Sequence, residues 1–417
     1  MRIFLGLMEL CGYFSNLKKG FESLGHTCDL FNTKATPIKW GYDDHIAKNP
    51  LVQKIYDCND IGAKMKLLRD LFDCVKDQYD VFILAYGSKF TSDFSCIEEL
   101  KSMGKKVIYT FFGSDSRPFY THGDFYVQAG NHVCDRVIRS TDPQRCYDRL
   151  EQTTYMLKRV EELADIIISH PPSSQLHKRP FVPWLHLGMP FDPPKGMLVR
   201  KNDTDVVRVL HAPSHPLCKG TPTINSIVSD MIRRGIRMEY IQVNNEPNIE
   251  VLNLVSQCDF IIDEMFSDNV AGGMLSIEAG YFGKPSVSSG YVGHHDLGVP
   301  QSMIPPTYFS SPQDLYKNIY NLYKDSRLRD AMGRLMKKYV HRNYSPKVVA
   351  KKYLDLIKGV PDDLLVDPND ITYIHGYGIS EALLIRNLRV LLDHCGEGVF
   401  GLEDKPVLKQ KLLEMIQ

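Results

Sequence analysis

The chain has 417 residues, enough for two domains with cores of their own, and its 43% apolar and 24% charged residues describe a folded globular protein rather than a disordered one. Lys plus Arg and Asp plus Glu both number 50, so the formal net charge is zero, which argues against a dedicated nucleic-acid binder with its usual basic excess. No run approaches the roughly 20 apolar residues of a membrane span, and the ten scattered cysteines exclude a zinc ribbon and point to reduced thiols in a cytoplasm.

In chain order, MRIFLGLMELCGYF carries a short apolar run without a small-residue cleavage site, so it reads as a first strand at 2–7 and not as a signal peptide. FSNLKKGFESLG follows, with Phe14, Leu17 and Phe21 at helical spacing and Gly25 as a stop. VFILAY at 81–86 precedes a helix expected at 93–103, and KKVIYTFFG at 105–113 is the next strand. A long helical pattern near 146–163 leads into the strand ADIIIS at 164–169. Apolar strands alternating with amphipathic helices predict a parallel sheet with right-handed crossovers.

The texture then changes. HPPSSQLHKRPFVPWLHLGMPFDPPKG is rich in Pro and reads as a last strand edge followed by a linker. Alternation resumes with VVRVLHA (206–212), a helix at 222–234, RMEYIQV (237–243), a helix at 248–256, DFIID (259–263), a helix carrying Glu278, and PSVSS (285–289). From about 311 the chain is helical, with Pro312 and Pro346 at the first position of two helices. The expected organisation is an N-terminal Rossmann-like domain at 1–188, a linker at 189–205, a second Rossmann-like domain at 206–345 and a helical tail at 346–417. A ligand belongs in the cleft between the domains, at the carboxyl ends of the strands.

Three stretches carry candidate chemistry. In VLHAPSHPLCKGTPTI (209–224) a strand runs through a loop into a helix, whose free N–H groups and positive end favour an anion. Lys219 adds a full positive charge there, suited to a diphosphate; the bland alternative is a solvated loop lysine. No Walker-type loop is present, so an ordinary P-loop ATPase is not expected. In GGMLSIEAGYFGKPSV (272–287), Glu278 stands alone among apolar residues. An ionised carboxylate there matches two adjacent sugar hydroxyls, and the alternative is a structural ion pair. Gly272 and Gly273 allow close backbone approach to a ligand or a tight turn. In FFGSDSRPFYTHGD (111–124), Asp115 either orients an acceptor hydroxyl or the donor sugar, or caps the next segment. Arg117 and His122 lie nearby. Gly12, after the first strand, lets a diphosphate or acceptor approach, but no GxGxxG fingerprint supports NAD.

HAPSHPLCKGT followed by CDFIIDEMFSDNVAGGMLSIEAGYFGKPSV resembles the donor domain of GT-B-fold glycosyltransferases of the retaining family four (glycosyltransferase group 1) type, over about 206–290. The resemblance implies an α/β GT-B fold, with two Rossmann-like parallel-sheet domains facing a cleft and C-terminal helices. It implies a nucleotide-sugar co-substrate of unknown base, no metal and no further cofactor, and a saccharide or lipid-linked acceptor. By position, Lys219 would bind the diphosphate and help catalysis, and Glu278 would bind the ribose. Ser214, Asn269, Gly272 and Gly273 would complete the nucleotide-sugar site with Gly12, and Asp115 would be the first domain's catalytic candidate. Two positions depart from the family. Val270 stands where an earlier Glu is usual, eight positions before Glu278, leaving its role absent or with Asp268, Asn269 or the backbone of Ala271 to Gly273. Ser214 stands where an Arg is usual, five before Lys219. A cytoplasmic transferase is the reading, with peripheral contact at the inner face of a membrane open. The rivals are a non-transferring nucleotide-sugar epimerase on the same fold and a non-catalytic nucleotide or saccharide binder.

Overall fold

In the computed structural model, which describes residues 1–34, 49–113, 115–123, 125, 143–200 and 206–417, the first half of the chain builds a wholly parallel sheet. Its strands are β1 (Arg2–Leu7), β2 (Thr27–Asn32), β3 (Val81–Ala85), β4 (Lys106–Thr110), β5 (Ile166–Ser169) and β6 (Val182–Pro183), in the spatial order β2-β1-β3-β4-β5-β6. Ile3 faces Cys28 on one side and Val81 on the other, which fixes the register at the centre. VFILA and IIIS are buried along their whole length because helices cover both sheet faces, so neither strand needs a polar side. The covering helices are α1 (Tyr13–Ser23), α2 (Pro50–Asp57), α3 (Ile61–Val75), α4 (Ser95–Ser102), α5 (Pro143–Leu163) and the short α6 (Trp184–Leu187).

The second parallel sheet holds β7 (Val207–His211), β8 (Met238–Gln242), β9 (Phe260–Ile262), β10 (Ser286–Ser289) and β11 (Tyr308–Ser310), in the order β11-β10-β9-β7-β8. Its helices are α7 (Thr221–Arg233), α8 (Asn248–Gln257), α9 (Met274–Phe282), α10 (Leu315–Lys324) and α11 (Ser326–Asn343). The strand order reverses between β7 and β9, and the loops leaving those strands open into the cleft. The expected elements recur within a few residues of their predicted limits. Those not anticipated include β2, whose sequence TCDLFN mixes polar and apolar residues at the sheet edge, and α2 and α3.

The chain then returns to the first domain. Helix α12 (Pro346–Lys358) crosses over and packs on α1 so closely that a Cβ on Gly20 would sit 2.1 Å from the Pro346 carbonyl oxygen. Tyr353 Oη lies 3.0 Å from Tyr13 Oη and 3.2 Å from Thr110 Oγ1, tying the crossing helix to β4 and α1. Beyond it, α13 (Glu381–Cys395) and α14 (Pro406–Ile416) bury Leu384, Leu388, Leu391 and Leu412 in the same apolar cluster as Phe82, Phe90 and Val107. The last stretch therefore belongs in space to the first sheet, with Tyr120 donating to the Phe400 carbonyl at 2.8 Å. Two Rossmann-like domains facing a cleft, with the C-terminal helices crossing back, make up the GT-B arrangement. Among the described residues no helix is long and apolar enough to cross a membrane, and the described cysteines are free thiols.

Candidate functional site

A cavity of about 170 Å³ opens at the carboxyl ends of β7 and β9, with Cys11, Ser214, Lys219, Asn248, Asp263 and Glu278 among its walls. Loop 212–220 delivers Lys219. Its amide donates to the His215 carbonyl at 3.0 Å, and its carbonyl accepts from Met265 at 3.1 Å, so the backbone is pinned to the β9 loop. Gly220 then turns the chain into α7 with φ +70°, where a Cβ would meet Met265 at 2.6 Å.

Glu278 lies one turn into α9, 3% exposed, and its Oε1 accepts from Asn248 Nδ2 at 2.9 Å. That neutral amide is its one hydrogen-bond partner among the described residues. Burial therefore dominates and raises its pKa to about 8, with the Asn248 bond opposing and the Asp263 charge adding a little. A carboxyl kept protonated at neutral pH on a cavity wall is held for a ligand more readily than for the fold.

Lys219 is ion-paired with Glu264, at the end of β9. Burial alone would lower the ammonium pKa, but Glu264, Tyr377 and Asp263 outweigh it and hold it well above the ordinary value. Glu264 also accepts from Ser267 Oγ and, at 3.2 Å, from Tyr377 Oη. The Tyr377 ring lies 5.6 Å from the Lys219 ammonium and 5.5 Å from the Arg117 guanidinium. Asp263 caps α9, taking the Gly273 amide at 2.6 Å and Ser276 Oγ at 2.6 Å. Gly272 has φ +72°, which requires glycine at the turn, and a Cβ on Gly273 would stand 2.9 Å from Lys219 Nζ, so a side chain there would displace the Lys219 ammonium.

The first domain meets this wall through the β1–α1 loop. Cys11 (φ +54°) and Gly12 (φ +72°) are both left-handed, and Glu9 caps α1 by accepting from Ser15 N at 2.7 Å and Phe14 N at 3.2 Å. Burial, then the charges of Glu278 and Glu9, push the Cys11 thiol up to about 12, so it is not a nucleophile. A second cavity of about 240 Å³ continues between the domains and shares Cys11 and Met274 with the first. Asn269, Gly272, Gly273 and His170 are among its walls.

Lys219, Ser214 and Glu278 are thus gathered in one cavity, and Asn269, Gly272 and Gly273 in the adjoining one. Gly12 and Asp115 line neither. The Asp115 carboxylate turns back on its own loop to accept from Phe112 N at 2.7 Å, and burial pushes its pKa up to about 7, opposed by that bond. Arg117 is ion-paired across the cleft with Asp268. His122 forms an isolated bridge with Tyr377, and burial, reinforced by Arg117, lowers its pKa to about 3. Val270, where the resembled family carries a Glu, is 2% exposed and packs with Leu185, Val292 and Tyr373.

Five residues of the site escape a reading of the sequence: Asn248, Asp263, Glu264, His170 and Tyr377. Asp263 ends the predicted strand DFIID, Glu264 and His170 directly follow predicted strands, and that position at strand carboxyl ends was a usable signal. Asn248 at a helix start and Tyr377 in the tail had none.

No family model matches the chain, and no curated protein matches it. Solved structures do. Sucrose-phosphate synthase from Thermosynechococcus elongatus aligns at 14% identity over 86% of this chain and 98% of that chain, with a TM-score of 0.48. HepE from Anabaena, in complex with UDP and glucose, aligns at 11% identity over 86% and 99%, with a TM-score of 0.49. MnaA from S. aureus, with UDP, aligns at 13% identity over 86% and 98%, with a TM-score of 0.44. At these identities the likeness concerns the course of the chain and not its side chains.

Proposed function

We propose that this protein is a glycosyltransferase that moves a sugar from a nucleotide-sugar donor to a saccharide or lipid-linked acceptor. The observation that carries the reading is the placing of Lys219 and the unpaired-in-charge Glu278 on the walls of one cavity at the switch point of the second sheet. In this reading the ribose hydroxyls donate to Glu278 and the diphosphate lies against Lys219. The bond from the anomeric carbon to the diphosphate breaks with its electron pair going to the diphosphate. The acceptor oxygen forms the new bond and gives up its proton to the departing diphosphate oxygen. Lys219 offsets the charge on the departing diphosphate, and Glu278 contributes binding and orientation rather than proton transfer. Retention of configuration and independence of metal are part of the proposal. So is UDP as the first base to try, since HepE and MnaA were solved with UDP.

A non-catalytic binder is the second reading, and two observations favour it. Lys219 is already neutralised by Glu264, and Val270 lies packed in the core. Turnover of UDP-, GDP- and ADP-sugars with a panel of acceptors decides. Lys219→Ala and Glu278→Ala should each lose about 10²-fold or more of transfer while remaining folded, a size typical of a lost charge-stabilising group, and Lys219→Ala, which strands the buried Glu264, should also lower thermal stability. Near-normal turnover in both purified variants refutes the assignment. Nucleotide binding without transfer favours the binder, and epimerised sugar without acceptor favours the epimerase.

A further inference from the structure

Donor attachment fixes what the second cavity must hold. A sugar linked to a diphosphate on Lys219 lies beyond that diphosphate, and the space there is the 240 Å³ cavity that meets the first at Cys11 and Met274. Its walls are mostly apolar, with Leu10, Phe111, Phe112, Met189, Met274 and Ile277 prominent.

The polar groups along it are largely engaged elsewhere. Asp268 is ion-paired with Arg117. Asn269 donates from Nδ2 to the Gly272 carbonyl at 2.9 Å and accepts on Oδ1 from Ala271 N at 3.0 Å. The backbone amides of Gly272 and Gly273 donate to the Asn269 carbonyl and to Asp263. Two buried side-chain nitrogens on its lining residues have no partner among the described residues: His170 Nδ1 and Trp184 Nε1.

An unmodified hexose brings hydroxyls on C2, C3, C4 and C6. Each one desolvated without a partner weakens binding. A methyl group in the same place gains from the apolar wall, and one such group in an apolar pocket discriminates by roughly 10–200-fold.

We infer that the donor sugar is a methyl-bearing hexose, a 6-deoxy sugar or an N-acetylated amino sugar, held with its methyl against this wall. The inference rests on the proposed nucleotide-sugar site. His170 and Trp184 then serve the ring's remaining polar groups.

Calorimetric titration of the whole purified chain tests it in two steps. UDP, GDP and ADP are titrated first, to find the base that binds. The glucosyl or mannosyl, N-acetylglucosaminyl and rhamnosyl or fucosyl donors of that base follow. At least one methyl-bearing donor should bind tenfold or more tighter than the unmodified hexose donor. A gain with the N-acetyl sugar places the methyl at C2, and a gain with the 6-deoxy sugar places it at C6. An unmodified donor that binds equally well or better overturns this inference while leaving the nucleotide site intact. Failure of every diphosphate to bind overturns both.

Discussion

Nucleotide binding should release a proton, and Glu278 is its source. Burial raises the Glu278 pKa from 4.5 to about 8, and the Asn248 amide is its one hydrogen-bond partner among the described residues. At pH 7 the carboxyl is then about 0.9 protonated, since one unit separates pH from pKa. Ribose hydroxyls donating to it favour the ionised form and pull the pKa back down. Binding at pH 7 therefore expels close to one proton, and affinity rises as the pH rises toward 8. Above that, the group is already ionised and the slope disappears. Titration calorimetry at pH 7 in buffers of different ionisation enthalpy reads the proton count directly. Glu278→Gln serves as the control, because the phosphate's own titration persists in it while the carboxyl's does not. Equal proton release by the wild type and Glu278→Gln would refute the reasoning. The same shift leaves a mark on the empty protein. Folded Glu278 holds its proton to about pH 8 and the unfolded group loses it near 4.5, so stability falls as pH rises between the two. At about 1.4 kcal/mol per unit, the difference between wild type and Glu278→Gln should change by up to about 3 kcal/mol between pH 4.5 and 7 in denaturant titrations.

Other perturbations test the surroundings. Arg117→Ala strands the buried Asp268 and should cost about 3–5 kcal/mol in urea unfolding; a variant carrying both Arg117→Met and Asp268→Leu should recover part of it. Tyr377→Phe removes one of the donors to Glu264, so it should lose about 1–3 kcal/mol of stability in the same assay and weaken nucleotide affinity by leaving Glu264 more dependent on Lys219. Gly20→Ala drives a methyl into the Pro346 carbonyl, so a drop of several degrees in Tm is expected from separating α1 and α12. Unchanged melting there would contradict the tight helix contact.

The first sheet was legible because VFILA, KVIYT and IIIS are apolar runs of strand length set between amphipathic helices, and burial on both faces requires such runs. Strand β2 was not, since Asp29 and Asn32 interrupt it; Asp29 accepts from Tyr79, a contact with no local trace in the sequence. Lys219 stood out as a charge in the loop leaving a strand's carboxyl end, and Glu278 as a lone charge among apolar residues on a helix. The partners that define their chemistry did not. Glu264 meets Lys219 only after β9 is laid beside β7, and Tyr377 arrives from a tail segment more than a hundred residues away. The inward turn of Asp115 onto Phe112 depends on loop geometry rather than on residue type.

The central claim is that the cavity beside β7 and β9 takes a nucleoside diphosphate with ribose on Glu278 and phosphates on Lys219. Titration of the purified chain with UDP, GDP and ADP, beside Lys219→Met and Glu278→Gln, tests it most directly. The account predicts one site per chain for at least one of the three, weakened tenfold or more in each variant while each variant remains folded at the assay temperature. Binding that both variants retain at wild-type strength, or no binding of any of the three at millimolar concentration, would contradict it.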